Sequence, residues 1–290
     1  MKIQELLSFL RCPSCYSSFN HDKNCLICSN CNERYPIIDD IPIILTNEEI
    51  KDAEIKKIYE ELYTNVKEDI REQKNVPSHC FDDLREIENL NIKNKVIVDA
   101  GGGRGFIANN LVDDVNKYII VDLSLTALKE LKRMEKDNLF LICGDIQKNI
   151  FSKEFADIVI CTAVLEHLED PNKALNNFKN FLKEDGELYI QVPVINLPFK
   201  EIFLYIFRKI KKRDIEEVKK IHLRVYSTKS IINDLNSVGF SISYLNYIPI
   251  IKEFNLTRLE HIFYLLFNRS LLKKYLASSI QVTSEKRGME

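Results

Sequence analysis

From Lys95 onward, short apolar runs recur about every twenty residues and alternate with helical patterns, an order that folds into a parallel sheet with right-handed crossovers. Strands are expected at Val96–Ala100, Tyr118–Asp122, Leu139–Cys143, Asp157–Thr162 and Glu187–Val192, then at Phe240–Tyr247 and Ser279–Glu285. The helices between them carry their own end signals. Ser124 stands where an N-cap belongs, Asp170-Pro171 pairs a cap with a first-turn proline, and Gly239 follows an expected helix over Ser230–Val238. The fold class is therefore expected to be α/β.

Two zones precede this pattern. Residues 1–46 crowd five of the eight cysteines into positions 12–31. Cys12-Pro-Ser-Cys15 and Cys28-Ser-Asn-Cys31 are two C-x-x-C knuckles separated by twelve residues, a spacing that closes four thiolates around one ion. A closed sulfur shell means structural zinc rather than a catalytic metal. Cys25 also starts a C-x-x-C, but Leu26 and Ile27 read as strand, which leaves Cys25 a non-ligand. Residues 47–92 are charged and read as a helical connector, with a break at Val76-Pro77-Ser78 and a second helix from Phe81. Residues 93–290 form the α/β domain.

Composition narrows the function classes. A formal charge of −2 supplies no global basic field for nucleic acid, and 45% hydrophobic residues exclude bulk disorder. Met1–Leu10 lacks the pattern of a secretory signal. The longest compact apolar runs, Ile202–Phe207 and Ile262–Phe267, are far short of a bilayer span. A cytoplasmic location is the expectation, and its reducing conditions favour metal binding over disulfides.

The most informative turn is Asp99-Ala-Gly101-Gly-Gly103-Arg-Gly105, directly after the first expected strand. Glycines there allow positive φ and close approach of a ligand to the main chain. A dinucleotide fingerprint would be G-x-G-x-x-G, whereas here the third glycine comes one residue early and position 106 is Phe. The turn resembles motif I of class I S-adenosylmethionine-dependent methyltransferases. Four further segments continue the resemblance: Asp122, 21 residues after Gly101; Cys143-Gly144-Asp145; Cys161-Thr-Ala-Val-Leu-Glu-His167-Leu-Glu-Asp-Pro171; and Phe181 to Pro193. His222-Leu-Arg-Val-Tyr-Ser-Thr, ahead of a helix, also fits. The stretch Cys12–Leu45 resembles the short zinc ribbon of the tRNA-methyltransferase-activator type.

The resemblance implies a Rossmann-like seven-stranded sheet in the order 3-2-1-4-5-7-6, with strand 7 antiparallel, behind a small N-terminal zinc ribbon. It implies S-adenosylmethionine bound by Asp99, Gly101, Gly103, Gly105, Asp122 (ribose), Leu123, Asp145 (adenine amino group), Ile146 (adenine ring) and Cys161. Cys12, Cys15, Cys28 and Cys31 would hold the zinc. Two readings stand for Arg104: the methionine carboxylate or solvent. His167 and His222 are the candidate bases where the acceptor holds a proton, with a structural histidine as the alternative at His167; Tyr226 is a weaker candidate.

An Asn/Asp-Pro-Pro-Tyr signature for planar amino groups is absent after strand four, where Cys161-Thr-Ala-Val stands. Residues 196–220 and 251–275 look like lid-like additions, helices that close an apolar pocket or pack as ordinary core. The basic, amphipathic 200–213 could instead touch a membrane surface. The expected function is methyl transfer to a small, apolar or aromatic, or lipid-like acceptor. The alternatives are an rRNA or tRNA base methyltransferase that docks RNA through the ribbon, and a non-catalytic partner-binding scaffold. Oligomeric state is not readable from the sequence.

Overall fold

The computed structural model describes residues 2–45, 78–196, 223–249, 274–275 and 277–287. His222, residues 197–220 and 251–273 of the two additions, the surface segment 200–213, and the connector up to residue 77 lie outside the described residues.

Helix α1 (Lys2–Phe9) opens the chain, followed by β1 (Phe19–Asp22), β2 (Cys25–Cys28), β3 (Arg34–Ile38) and β4 (Ile41–Ile44). Helix α2 (Ser78–Glu88) begins three residues before Phe81, directly after Pro77, whose ring restricts the residue before it. The α/β part then runs β5 (Val96–Ala100), α3 (Phe106–Leu111), β6 (Lys117–Asp122), α4 (Leu125–Leu131), β7 (Leu139–Gly144), β8 (Ala156–Thr162), α5 (Pro171–Phe181) and β9 (Leu182–Pro193). Helix α6 (Thr228–Ser237), β10 (Phe240–Pro249) and β11 (Ala277–Lys286) complete it.

The caps act as the sequence suggests. Ser124 accepts from the Ala127 N–H, and Asp170 accepts from the Lys173 N–H. Helix α6 starts two residues before Ser230 because Ser227 and Ser230 form a reciprocal capping box. Strand β9 starts earlier than expected, since Leu182 is fully buried and pairs with Ala156 ahead of a register shift.

The sheet order is β1-β2-β3-β4-β7-β6-β5-β8-β9-β11-β10. Counting β5 as the first strand of the α/β domain, β7 to β10 read 3-2-1-4-5-7-6, and β11 runs antiparallel to both its neighbours. The order matches the expectation. The difference lies at the edge: β4 pairs in parallel with β7, Ile43 opposite Cys143 and Ile44 opposite Gly144, so the ribbon extends the domain's own sheet.

Side chains alternate between two faces. One core holds Ile97, Tyr118, Ile120 and Ile158 under α2, α3 and α4; the other holds Val98, Ile119, Val159 and Ile190. The second core is continuous with the ribbon's own Leu6, Phe9, Leu10, Leu26 and Tyr35. Phe9 stacks on Phe155 with ring centroids 5.0 Å apart and meets Phe140 edge-on at 6.2 Å. The Arg11 N–H donates to Ile150 O (2.8 Å), and the Ser152 N–H donates to Phe9 O (2.7 Å).

A shared core predicts shared unfolding. Phe9→Ala should cost about 3–5 kcal/mol in urea denaturation. Ribbon and α/β domain should melt in one transition by near-ultraviolet dichroism and by metal release; two separated transitions would contradict the shared core.

Candidate functional site

At the C-terminal ends of the parallel strands, the chain leaves β5 through a turn in which Gly101, Gly103 and Gly105 have φ of 81°, 52° and 69°. Two of these positions are closed to any side chain. A Cβ on residue 101 would lie 2.4 Å from Val164 Cγ2, and one on residue 105 would lie 2.5 Å from Leu131 Cδ2. Asp122, at the end of β6, fastens the turn: its Oδ2 accepts from the Gly103 N–H (2.9 Å), and its Oδ1 accepts from the Ser124 N–H (2.8 Å).

Asp99 is buried below the turn. Its Oδ2 accepts from the Tyr118 hydroxyl at 2.9 Å, while its Oδ1 has no partner among the described residues. Burial, against the Tyr118 hydrogen bond and with some help from Asp122, pushes the Asp99 carboxyl up to about 7. Arg104 is half-buried, with its Nε 3.1 Å from Glu130 Oε2 on α4.

Asp145 follows β7. Its Oδ1 accepts from the Gln147 N–H (2.8 Å), and Asn177 of α5 donates to Ile146 O (3.1 Å). Ile146 and Leu123 are half-buried, and Cys161 is fully buried at the end of β8. Ala163 then adopts φ of 53°, a costly conformation for a residue with a Cβ. That reversal leads into the short helical turn Leu165–His167, where His167 Nε2 lies 3.8 Å from Glu166 Oε1.

Glu166, inside that helical turn, directly precedes His167. It is 2% exposed, and burial pushes its carboxyl up to about 7. Arg224 had no expected role; its guanidinium donates to Leu168 O and Glu169 O. A charged residue inside an apolar motif was the only sequence signal for Glu166.

The four expected zinc ligands converge in the ribbon, with their sulfur atoms all within 4.8 Å of one another. Cys12 and Cys31 are 3.6 Å apart, and Cys15 and Cys28 are 3.3 Å apart. A tetrahedral zinc with sulfur at about 2.3 Å spaces its ligands about 3.8 Å apart, so the cluster fits the ion. Tyr35, which donates to Glu33 at 2.6 Å, lies 3.6 Å from Cys12 Sγ and orients the cluster from behind.

A cleft of about 720 Å³ lies instead on the seam between ribbon and sheet, lined in part by His21, Asp40, Lys132 and Leu139. It borders the N-terminal half of β7, whereas ligands of open α/β sheets sit at the carboxyl ends of the strands. Its Lys132 is paired with Asp40 at 2.7 Å.

The Asp99 carboxyl makes a pH-dependent contribution. Its folded pKa lies above the unfolded one, so the bound proton favours the fold; the contribution is complete below about pH 4 and is lost as pH rises through about 7. Asp99→Asn should flatten the fall in stability between about pH 4 and 7 in urea titrations, and an unchanged slope would contradict this.

Residues 98–190 match the family described as Methyltransferase domain, and residues 4–40 match Trm112p-like protein. A ubiquinone biosynthesis O-methyltransferase of Coxiella burnetii is 26% identical over 188 residues, 60% of this chain and 77% of that protein. A Burkholderia thailandensis 1,6-didemethyltoxoflavin-N1-methyltransferase, solved with its acceptor and S-adenosylhomocysteine, aligns at TM-score 0.58 and 12% identity over 90% of this chain and 98% of that one. The complex of a Haloferax volcanii Trm112 methyltransferase activator with a putative methyltransferase aligns at TM-score 0.52 and 14% identity, over 71% of this chain and 90% of that one. At those identities the two solved structures speak to fold alone. Taken with the glycine turn and the cysteine cluster, these matches show a methyltransferase domain over residues 98–190 and a Trm112p-like zinc ribbon over residues 4–40.

Proposed function

We propose that the chain transfers the methyl group of S-adenosylmethionine to a small apolar or aromatic acceptor by in-line displacement. The observation that carries the reading is the gathering of Asp99, the glycine turn, Asp122 and Asp145 at the carboxyl ends of adjacent parallel strands. Asp122 would hold the ribose hydroxyls, Asp145 the adenine amino group, Ile146 the ring face, and the turn the methionine end. When bound, the cofactor supplies an electrophilic methyl on a positively charged sulfur. The chain's own part is to orient the two reactants and exclude water, which can provide much of the acceleration. Kinship with a ubiquinone biosynthesis O-methyltransferase supports a small-molecule acceptor.

The test supplies the purified chain with methyl-labelled S-adenosylmethionine and a cell extract. Label should enter solvent-extractable small molecules. Label in acid-insoluble RNA would favour the RNA-docking reading, and failure to bind the cofactor by calorimetry would defeat enzyme function altogether.

The ribbon, on this reading, works within the same chain. In the Haloferax complex the activator is a separate protein; here the ribbon grips the adenine loop at both ends. Ile44 pairs with Gly144 just before Asp145, and Leu10 and Arg11 hold Phe151 and Ile150 after it. Cys12→Ser/Cys31→Ser, which breaks the metal site, should weaken cofactor binding by about tenfold or more in calorimetry. Unchanged affinity in the metal-free variant would show the ribbon to be a mere appendage.

A further inference from the structure

Besides Asp99 Oδ1 below the glycine turn, two further buried oxygens near it have no partner among the described residues: Glu166 Oε2 and the Tyr226 hydroxyl. Their side chains are 2% and 3% exposed, so water does not compensate them. They arrive on different segments. Glu166 sits on the turn after β8, and Tyr226 bridges Val194 just beyond β9. The Arg224 N–H, donating to Glu166 O at 3.1 Å, ties the two segments together. The Cys161 thiol is pushed up by burial and then by Glu166 and Asp99; the Tyr226 phenol is pushed up by burial and then by Asp234, against Arg224, with Cys161 and Glu166 adding less. The same turn touches the glycine turn, through Val164 against Gly101.

A buried polar group left unpaired costs about 1–3 kcal/mol, and folded proteins pair nearly all of them. A single hydroxyl from a ligand would satisfy both, donating to Glu166 and accepting from Tyr226. An ammonium or an apolar carbon could not accept from Tyr226.

We propose that Glu166 and Tyr226 form the acceptor subsite, that they select a hydroxyl-bearing acceptor, and that Glu166 takes the hydroxyl proton during methylation. The proposal rests on the small-molecule reading given above. In the transfer the acceptor oxygen forms a bond to the methyl carbon, and the carbon–sulfur bond breaks with its electron pair left on sulfur. The hydroxyl proton moves to the Glu166 carboxylate. One positive and one negative charge are consumed, leaving an ether, a neutral thioether and a neutral carboxyl.

A carboxyl titrating near 7 is matched to this task at neutral pH. The groups facing it are His167 on its own turn, Cys161 from β8 and Tyr226 from the bridging segment. The His167 side chain is 16% exposed and gives the proton a route to solvent.

The test uses the metal-loaded full chain, with catechol as the hydroxyl probe and benzylamine, protonated at neutral pH, as the ammonium probe. S-adenosylhomocysteine binding is measured first by calorimetry; its absence in the unmodified chain would defeat the function proposed above, before any acceptor is added. With binding established, catechol should be O-methylated and benzylamine not. Glu166→Gln should keep S-adenosylhomocysteine affinity within about threefold and lower kcat about 10²–10³-fold, with loss of the rise in rate through about pH 7. Tyr226→Phe, which keeps the ring, should raise the KM for catechol about tenfold with a smaller change in kcat. Comparable methylation of benzylamine, no methylation of catechol by the cofactor-binding chain, or a Glu166→Gln kcat within about threefold would each overturn the proposal. Should Glu166→Gln fail to fold, an unchanged KM in Tyr226→Phe would do so on its own.

Discussion

The left-handed turn after β5 is the constraint on which the site depends. It is wedged between Val164 on one side and Leu131 on the other, and both contacts exclude a side chain at the glycine they touch. Asp122 then fixes the turn to the second strand through the Gly103 N–H. Three neighbouring strands therefore set the path of one loop. That shared determination lets a row of backbone N–H groups stay in a conformation that most residues cannot adopt.

At the far edge a second constraint acts on the same site. β4 occupies the edge of β7 that would otherwise present unpaired main-chain groups, and the ribbon's apolar residues merge with the core of the α/β domain. The cysteine cluster organises the ribbon, the ribbon holds the segment from Gly144 to Ser152, and Asp145 lies inside that segment. On the proposed reading, metal binding and cofactor binding would be joined by this short chain of contacts.

Much of this architecture was legible in the sequence because it depends on local signals. Alternating apolar runs, Ser124, Asp170-Pro171 and the glycine spacing each report on a few adjacent residues, and the strand order followed from the motif resemblance. What was not legible depends on contacts between distant segments. No pattern in Ile41–Ile44 says that it will continue the sheet beside β7. Arg104 gave no hint of Glu130, and Glu166 was hidden inside an apolar motif, where only burial reveals its unpaired oxygen. Asp83 of α2 is a further case: buried, it accepts from Tyr189 and Gln281 at 2.8 Å each, across separations of 106 and 198 residues.

The most direct test of the central claim is a titration of the isotope-labelled chain with S-adenosylhomocysteine, followed by amide nuclear magnetic resonance. The account predicts saturable shifts at Gly101, Gly103, Gly105, Asp122, Asp145 and Ile146, with the seam residues His21 and Lys132 unmoved. Shifts centred on the seam, or none at saturating ligand, would contradict it.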